Sequence, residues 1–217
     1  MSKQEMRNKL AALSFSEKVN ILGDLRERSL AVNRIQRLRR VLIVCCYFIQ
    51  NLAYYRAGWK PNKVFTRHDS QFWITANGNF LDHCVLEWCK LFGDEKEAHY
   101  WGNTVSDPPA FEKGLLSSLG ITPVEFKTNI EKLRRYRDKF VAHLDSDKVM
   151  NIPDLEIAKN AVFFYQRYIL NEEAQAEDLL GSVPSLNPCY DLNSLYERRL
   201  IEARNEYGID FPKSTSH

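Results

Sequence analysis

The sequence predicts an all-α protein, an antiparallel helical bundle with an additional C-terminal helix. Two observations carry that expectation. Apolar residues recur at intervals of three and four through every long stretch, the spacing that keeps them on one helical face. No stretch shows the strict alternation of a half-buried strand, and no internal repeat is present. Start and stop signals bracket the periodic stretches. Thr122-Pro123-Val124-Glu125 reads as a capping box with Pro at the first helical position, and Gly93-Asp94, Gly120 and Gly208 close helices.

Taken in order, residues 2–13 form a short amphipathic helix. Ser14 or Ser16 caps a second, with Glu17 in its first turn, that runs to about Trp59. Leu30, Ile35, Leu38, Leu42 and Ile49 recur along it at helical intervals, with Arg34, Arg37, Arg39 and Arg40 between them. That basic run reads as a solvated face or, more sharply, as a strip that contacts phosphates. Residues 60–70, KPNKVFTRHDS, read as a loop. A third helix spans residues 71–92, with Phe72, Trp73, Phe80, Leu81, Val85, Trp88 and Leu91 as expected core. Asp107-Pro108-Pro109 marks a break, residues 111–119 a short helix, and residues 122–145 a long one. Pro153 opens a further helix to about Leu180, residues 181–188 are a linker, and a charged last helix covers residues 191–207 before a mobile tail. The expected organisation is one helical domain over residues 1–180, its first 59 residues readable as an extension. Residues 181–217 add the linker, the last helix as an appendage, and the tail.

Composition narrows the class. With 217 residues, 44% hydrophobic and 27% charged, the chain is globular rather than disordered. Thirty Lys plus Arg against 28 Asp plus Glu leave a formal net charge of +2, which neither demands nor excludes a polyanion. Five cysteines, an odd number with two adjacent, suit reduced thiols better than a disulfide framework. The first residues, MSKQEMRNKL, are charged and unlike a signal peptide, and the most apolar run, residues 41–49, is far short of the roughly 20 residues that span a bilayer. A cytoplasmic protein without membrane contact is expected. His83, Cys84 and Cys89 match no standard zinc spacing, so no metal site is expected. No glycine-rich phosphate loop, nucleophile elbow or HExxH is present.

The segment TPVEFKTNIEKLRRYRDKFVAHLD is the functional lead. Its apolar stripe runs Phe126, Ile130, Leu133, Arg137, Phe140, Leu144, so a guanidinium stands where the pattern asks for a leucine. Arg stays charged, and must be paired, kept wet or aimed at an anion. His143 follows six residues later, about 120° around an ideal helix. Either the helix loosens before it, or the two groups meet across a dimer seam, which would explain an Arg on an apolar stripe. The bland alternative pairs Arg137 with a buried carboxylate and leaves His143 at a helix C-terminus.

Arg137, the polar Asp138 and His143 after five intervening positions resemble the signature of the HEPN superfamily (higher eukaryotes and prokaryotes nucleotide-binding), in which Arg and His are separated by four to six residues. The string RYRDKFVAHLD looks like the abortive-infection, AbiU-type branch, where the ending Ala-His-Leu-Asp is typical. WCKLFGD, residues 88–94, followed by His99 and Trp101, also looks like that branch. The resemblance is sharp over about a dozen residues and looser over residues 70–170. It implies a helical bundle that dimerises and sets two Arg/His motifs in one cleft. It further implies a metal-independent endoribonuclease, a toxin or phage-defence protein that needs no cofactor, or a member that has lost catalysis and only binds.

The residue chemistry agrees. RNA cleavage without metal uses the 2′-hydroxyl as nucleophile, which needs a base, an acid for the leaving 5′-oxygen, and a cation for the charge on phosphorus. His143 suits the proton transfers near neutrality, Arg137 the cation, and Asp138 the orienting carboxylate. Arg134, Arg135 and Lys139 read as contacts to RNA backbone or as solvated charges, Tyr136 as a ring under a base or a rim aromatic of the core, and His99 as a residue near the cleft or part of the core. The expected partners are RNA, a second copy, and an antitoxin or other defence protein. The alternative is an inactive dimer that binds a nucleotide or a protein such as a nucleotidyltransferase-type antitoxin.

Overall fold

The computed structural model describes residues 2–60, 63–64, 70–142, 153–174 and 191–208. The fold is all-α and is built around the second half of one long helix. α1 spans Lys3–Ala12 and α2 spans Phe15–Gly58. Local side chains start both. Ser2 and Glu5 form a reciprocal capping box, and Ser14 with Glu17 does the same, Glu17 N donating to Ser14 Oγ at 3.2 Å. In α2 the residues Leu38, Val41, Leu42, Cys45, Phe48, Ile49 and Leu52 are fully buried, a stripe at helical spacing that forms the axis of the core. Each such side chain stabilises by about 1.5–3 kcal/mol. Only the preceding part of α2 extends from the body, so the first 59 residues are not an extension as a whole: residues 22–33 are exposed throughout.

A two-residue antiparallel ladder, β1 Trp59–Lys60 with β2 Lys63–Val64, follows α2. The sequence reading expected a loop here and no strand. Two residues are too few to show a period of two, so only the pairing reveals them. α3, Gln71–Trp88, packs along α2 and places Leu81, Cys84, Val85 and Trp88 in the core. It runs on into a π-turn, Cys89–Gly93. Phe72, expected in the core, is exposed in the first turn of α3.

A short α4, Trp101–Thr104, precedes α5, Pro108–Leu119. Asp107 caps α5 by accepting from Ala110 N, so the Pro pair begins this helix rather than merely breaking the chain. Gly120 ends it in the left-handed region, φ 64°, as the closing glycine predicted. α6 is Pro123–Tyr136, with the predicted Thr122/Glu125 capping box, and is followed by a second π-turn, Arg137–Ala142. α7, Glu156–Tyr168, passes into a third π-turn, Ile169–Glu173, and α8 is Leu192–Glu206. The predicted turn at residues 145–152, the end of the α7 helix beyond residue 174, the linker at 181–188, Cys189 and the tail lie outside the described residues. Cys45, Cys46, Cys84 and Cys89 are free thiols.

The last helix is not an appendage. α8 packs along α2, with Leu192 and Leu195 in the main core. Leu200, Ala203 and Tyr207 close a second cluster with Ala53 and Ala57. Asn77, itself buried, donates to Tyr55 O at 2.8 Å and to Tyr207 Oη at 3.1 Å, tying α2, α3 and α8 together. Gly58 makes this approach possible: an added Cβ would overlap the Tyr207 ring, reaching Cε1 at 2.6 Å, and would stand 2.8 Å from Asn77 Nδ2. Gly58→Ala is expected to destabilise the protein by about 1–3 kcal/mol in urea unfolding, because the Tyr207 ring must leave its place. Among the described residues no helix is long and apolar enough to cross a membrane.

Candidate active site

α6 is amphipathic with a sharp division. Phe126, Asn129, Leu133 and Tyr136 are buried against the bundle, while Lys127, Lys132, Arg134 and Arg135 are exposed. The apolar stripe therefore faces this chain's own core, not a partner subunit. Its arginine has an internal explanation. Arg137 Nη1 pairs with Asp94 Oδ2, and Arg137 Nε donates to Asp138 Oδ1 at 2.8 Å. Neither pair uses Nη2. The guanidinium is 17% exposed and Asp94 31%, so the pair sits at the rim of the core, where solvent still reaches it. Burial disfavours the charge on Arg137, but the two carboxylates more than offset it and raise its pKa.

Two π-turns create this meeting. Asp94 ends the first, its backbone N–H donating to Cys89 O at 2.9 Å, and Arg137 begins the second. A π-turn adds a residue per turn and such turns recur at functional sites. The helix thus loosens from Arg137 to Ala142, while His143, the group that loosening was expected to bring to Arg137, lies outside the described residues. Gly93 lets α6 approach closely: a Cβ there would meet Cys89 Sγ at 3.3 Å and Arg134 Cγ at 3.4 Å. Phe92, from the same π-turn, stacks on Trp88 and meets Phe126 edge-on at 6.0 Å, which fixes the turn against α6. Burial pushes the adjacent Cys89 thiol up to about 12, so it is a packing group rather than a nucleophile.

A cleft of about 470 Å³ opens beside the pair, lined by Gly93, Asp94, Glu95, Lys96, Glu97 and Arg134. Three carboxylates face two cations, so the cleft alone does not attract a polyanion. A second cleft of about 480 Å³ lies between α5, α7 and the start of α8, away from Arg137.

The predicted site residues separate into groups. Arg137 and Asp138 are joined, and Arg134 lines the same cleft. Arg135 is exposed and Lys139 half-buried on the neighbouring turns. His143 lies outside the described residues. Tyr136 is not available to stack on a base. It is 3% exposed, its ring packs against Phe140, and its hydroxyl donates to Asp82 Oδ1 at 2.9 Å. Position explains this: Tyr136 is three residues after Leu133 and shares its buried face. Burial and Asp82 together hold the Tyr136 hydroxyl in its neutral form.

His99 stands half-buried in the turn before α4, in the segment that leads away from Asp94. Its Nδ1 is buried without a hydrogen-bond partner, and Tyr165 Oη donates to its backbone oxygen at 3.3 Å. Among the described residues no hydrogen bond or ion pair joins it to Arg137. Burial lowers the His99 pKa, since desolvation disfavours the imidazolium. The unfolded chain therefore takes up its proton first as pH falls below about 6.5, and stability drops through that window. An NMR titration is expected to place the His99 midpoint below the ordinary histidine value, and His99→Gln to flatten the acid loss of stability between pH 7 and 5.

Arg37 is exposed and Arg34 partly so, as a solvated face would be, but both also carry partners within the chain. Arg34 binds Glu173 and Ser106, and Arg37 donates to Asn103 O at 3.1 Å, clamping α2 to α4, the loop after it and the π-turn after α7. Sequence reasoning missed Asp94. It lay in the quoted WCKLFGD segment, and an Arg on an apolar stripe calls for a nearby acid, but nothing local tells which one. Among the described residues no cluster of three His, Cys, Asp or Glu side chains stands ready for a metal ion. No family model matches the chain, and neither a curated protein nor a solved structure matches it.

Proposed function

We propose that the protein is a metal-independent endoribonuclease of the HEPN type, acting in the cytoplasm in phage defence or as a toxin, on RNA held between two copies of the chain. One observation carries the reading: an arginine on an apolar stripe, held by Asp94 and Asp138 at the start of a π-turn and beside an open cleft, with Nη2 outside both pairs. Carboxylates on two edges fix the plane of the guanidinium, and a fixed plane is what a phosphate in its transition state needs. In this reading His143 moves the protons, Arg137 offsets the charge on phosphorus, and Asp138 with Asp94 orients Arg137. The exposed Arg134 and Arg135 and the half-buried Lys139 track the RNA backbone, which the acidic cleft wall would repel. No metal or organic cofactor enters the chemistry. An antitoxin or other defence protein is the expected regulatory partner.

The test is incubation with mixed RNA with and without EDTA. Cleavage that survives EDTA, leaves 2′,3′-cyclic phosphate ends, and falls about 10²–10⁴-fold in His143→Ala supports the reading. Equal cleavage by wild type and variant sinks it.

The two carboxylates on Arg137 favour a second reading, since they hold its Nε and Nη1 without any phosphate. It is an inactive dimer that binds a nucleotide or a partner such as a nucleotidyltransferase-type antitoxin. Binding of nucleotide or partner without any cleavage would select it.

A further inference from the structure

The projecting part of α2 carries an apolar face that nothing in the described chain covers. Phe15, Leu22, Leu25 and Val32 are 84%, 65%, 54% and 54% exposed. With Lys18 and Ser29 they occupy positions 15, 18, 22, 25, 29 and 32, steps of 3, 4, 3, 4 and 3. That is the a/d seam of a two-stranded coiled coil. An apolar seam left in water marks an interaction surface. Two and a half heptads are short for an isolated peptide, but this helix is already nucleated by its buried half from Leu38 onward.

We propose that the arm pairs with the same arm of a second copy, antiparallel, about a two-fold axis beside Gly23 and Asp24. The seam itself names the occupant. Under that axis the six positions meet as Phe15 with Val32, Lys18 with Ser29, and Leu22 with Leu25, and then as the same pairs in reverse. Every apolar side chain meets an apolar one, and the single cation meets a hydroxyl. Such self-complementarity is what an isologous interface requires. A parallel pair would instead stack Lys18 on Lys18 inside the seam, where like charges repel at close range. Antiparallel pairing also opposes the two helix dipoles. Lys18 already turns its Nζ toward Ala11 O, at 3.1 Å, which keeps its charge at the edge of the seam. The flanking Arg26 and Arg28 fall beside Val19 and Ile21 of the second copy, where their aliphatic stems cover apolar surface. This pairing is independent of any activity at Arg137.

Sedimentation equilibrium of the full chain over a wide concentration range tests it. A reversible dimer is expected. Leu22→Glu and Leu25→Glu are each expected to weaken it roughly 100-fold or more, because two carboxylates enter the seam unpaired. Leu30→Glu, exposed but off the seam, is the matched control and leaves the dissociation constant within about twofold. Ser29→Glu decides the register: it meets Lys18 in the antiparallel pair and tightens the dimer several-fold, but would stack on itself in a parallel pair and weaken it. Circular dichroism and urea midpoints check that each variant folds, the arm lying outside the core. A monomer at every concentration, a dimer indifferent to Leu22→Glu, or a dimer weakened by Ser29→Glu overturns the proposal.

Discussion

Arg137→Ala is expected to lower RNA cleavage by about 10²–10³-fold while leaving the fold intact, as read from kcat/KM on a defined oligonucleotide and from urea unfolding. The rate loss follows from the role proposed for the guanidinium, a fixed cation that meets charge developing on phosphorus. The intact fold follows from the site's place at the rim. The substitution strands Asp94, but that carboxylate is about one-third exposed and water can replace the lost partner. Arg137→Lys separates geometry from charge. Lysine keeps the charge but loses the planar fork, and a point charge cannot satisfy Asp94, Asp138 and a phosphate together. Most of the loss should therefore persist in Arg137→Lys. Full activity in Arg137→Ala would exclude a role in the chemistry, whereas a collapse in stability would mark the residue as a structural tie.

Phe92→Ala is expected to cost about 3–5 kcal/mol in urea or thermal unfolding, a large share of the 5–15 kcal/mol that holds a typical domain together. Phe92 is 1% exposed and its ring touches Trp88, Phe126 and Tyr165, so its removal opens a cavity where α3, α6 and α7 converge. The same residue lies in the π-turn that ends at Asp94. Its loss should thus reach the site as well. At a temperature where the variant stays folded, cleavage should fall further than the folded fraction explains, because Asp94 no longer holds Arg137 in place. Phe111→Ala is a control of similar size. Its ring is a hub for Trp101, Phe164, Tyr165 and Tyr168 and reaches the first π-turn only through Tyr165, so it should cost stability with a smaller extra loss.

Much of this was written locally in the sequence. The capping boxes at Ser2, Ser14 and Thr122, the left-handed Gly120 and the buried stripe of α2 all follow from contacts within a turn or two of the residue concerned. The oddity of Arg137 was legible for the same reason, since a helical stripe is a local pattern. What answered it was not. Asp94 stands 43 residues away and meets Arg137 only because two π-turns and the close approach at Gly93 bring them together. Tyr136 shares the buried face of Leu133, a local pattern, but the acid that accepts from its hydroxyl stands on α3, and the last helix is packed rather than appended because its partner surface lies on α2 and α3. The sequence by itself determined that the chain is built of helices, where its capping boxes start them, and that one helix carries a charge out of pattern. Only the tertiary structure decided which acid holds that charge, which aromatic rings are buried, and which half of α2 is left uncovered. The reason is range: caps and periodicity are set by hydrogen bonds and side chains a few residues apart, whereas ion pairs and buried faces are set by whatever distant segment the packed core places opposite them.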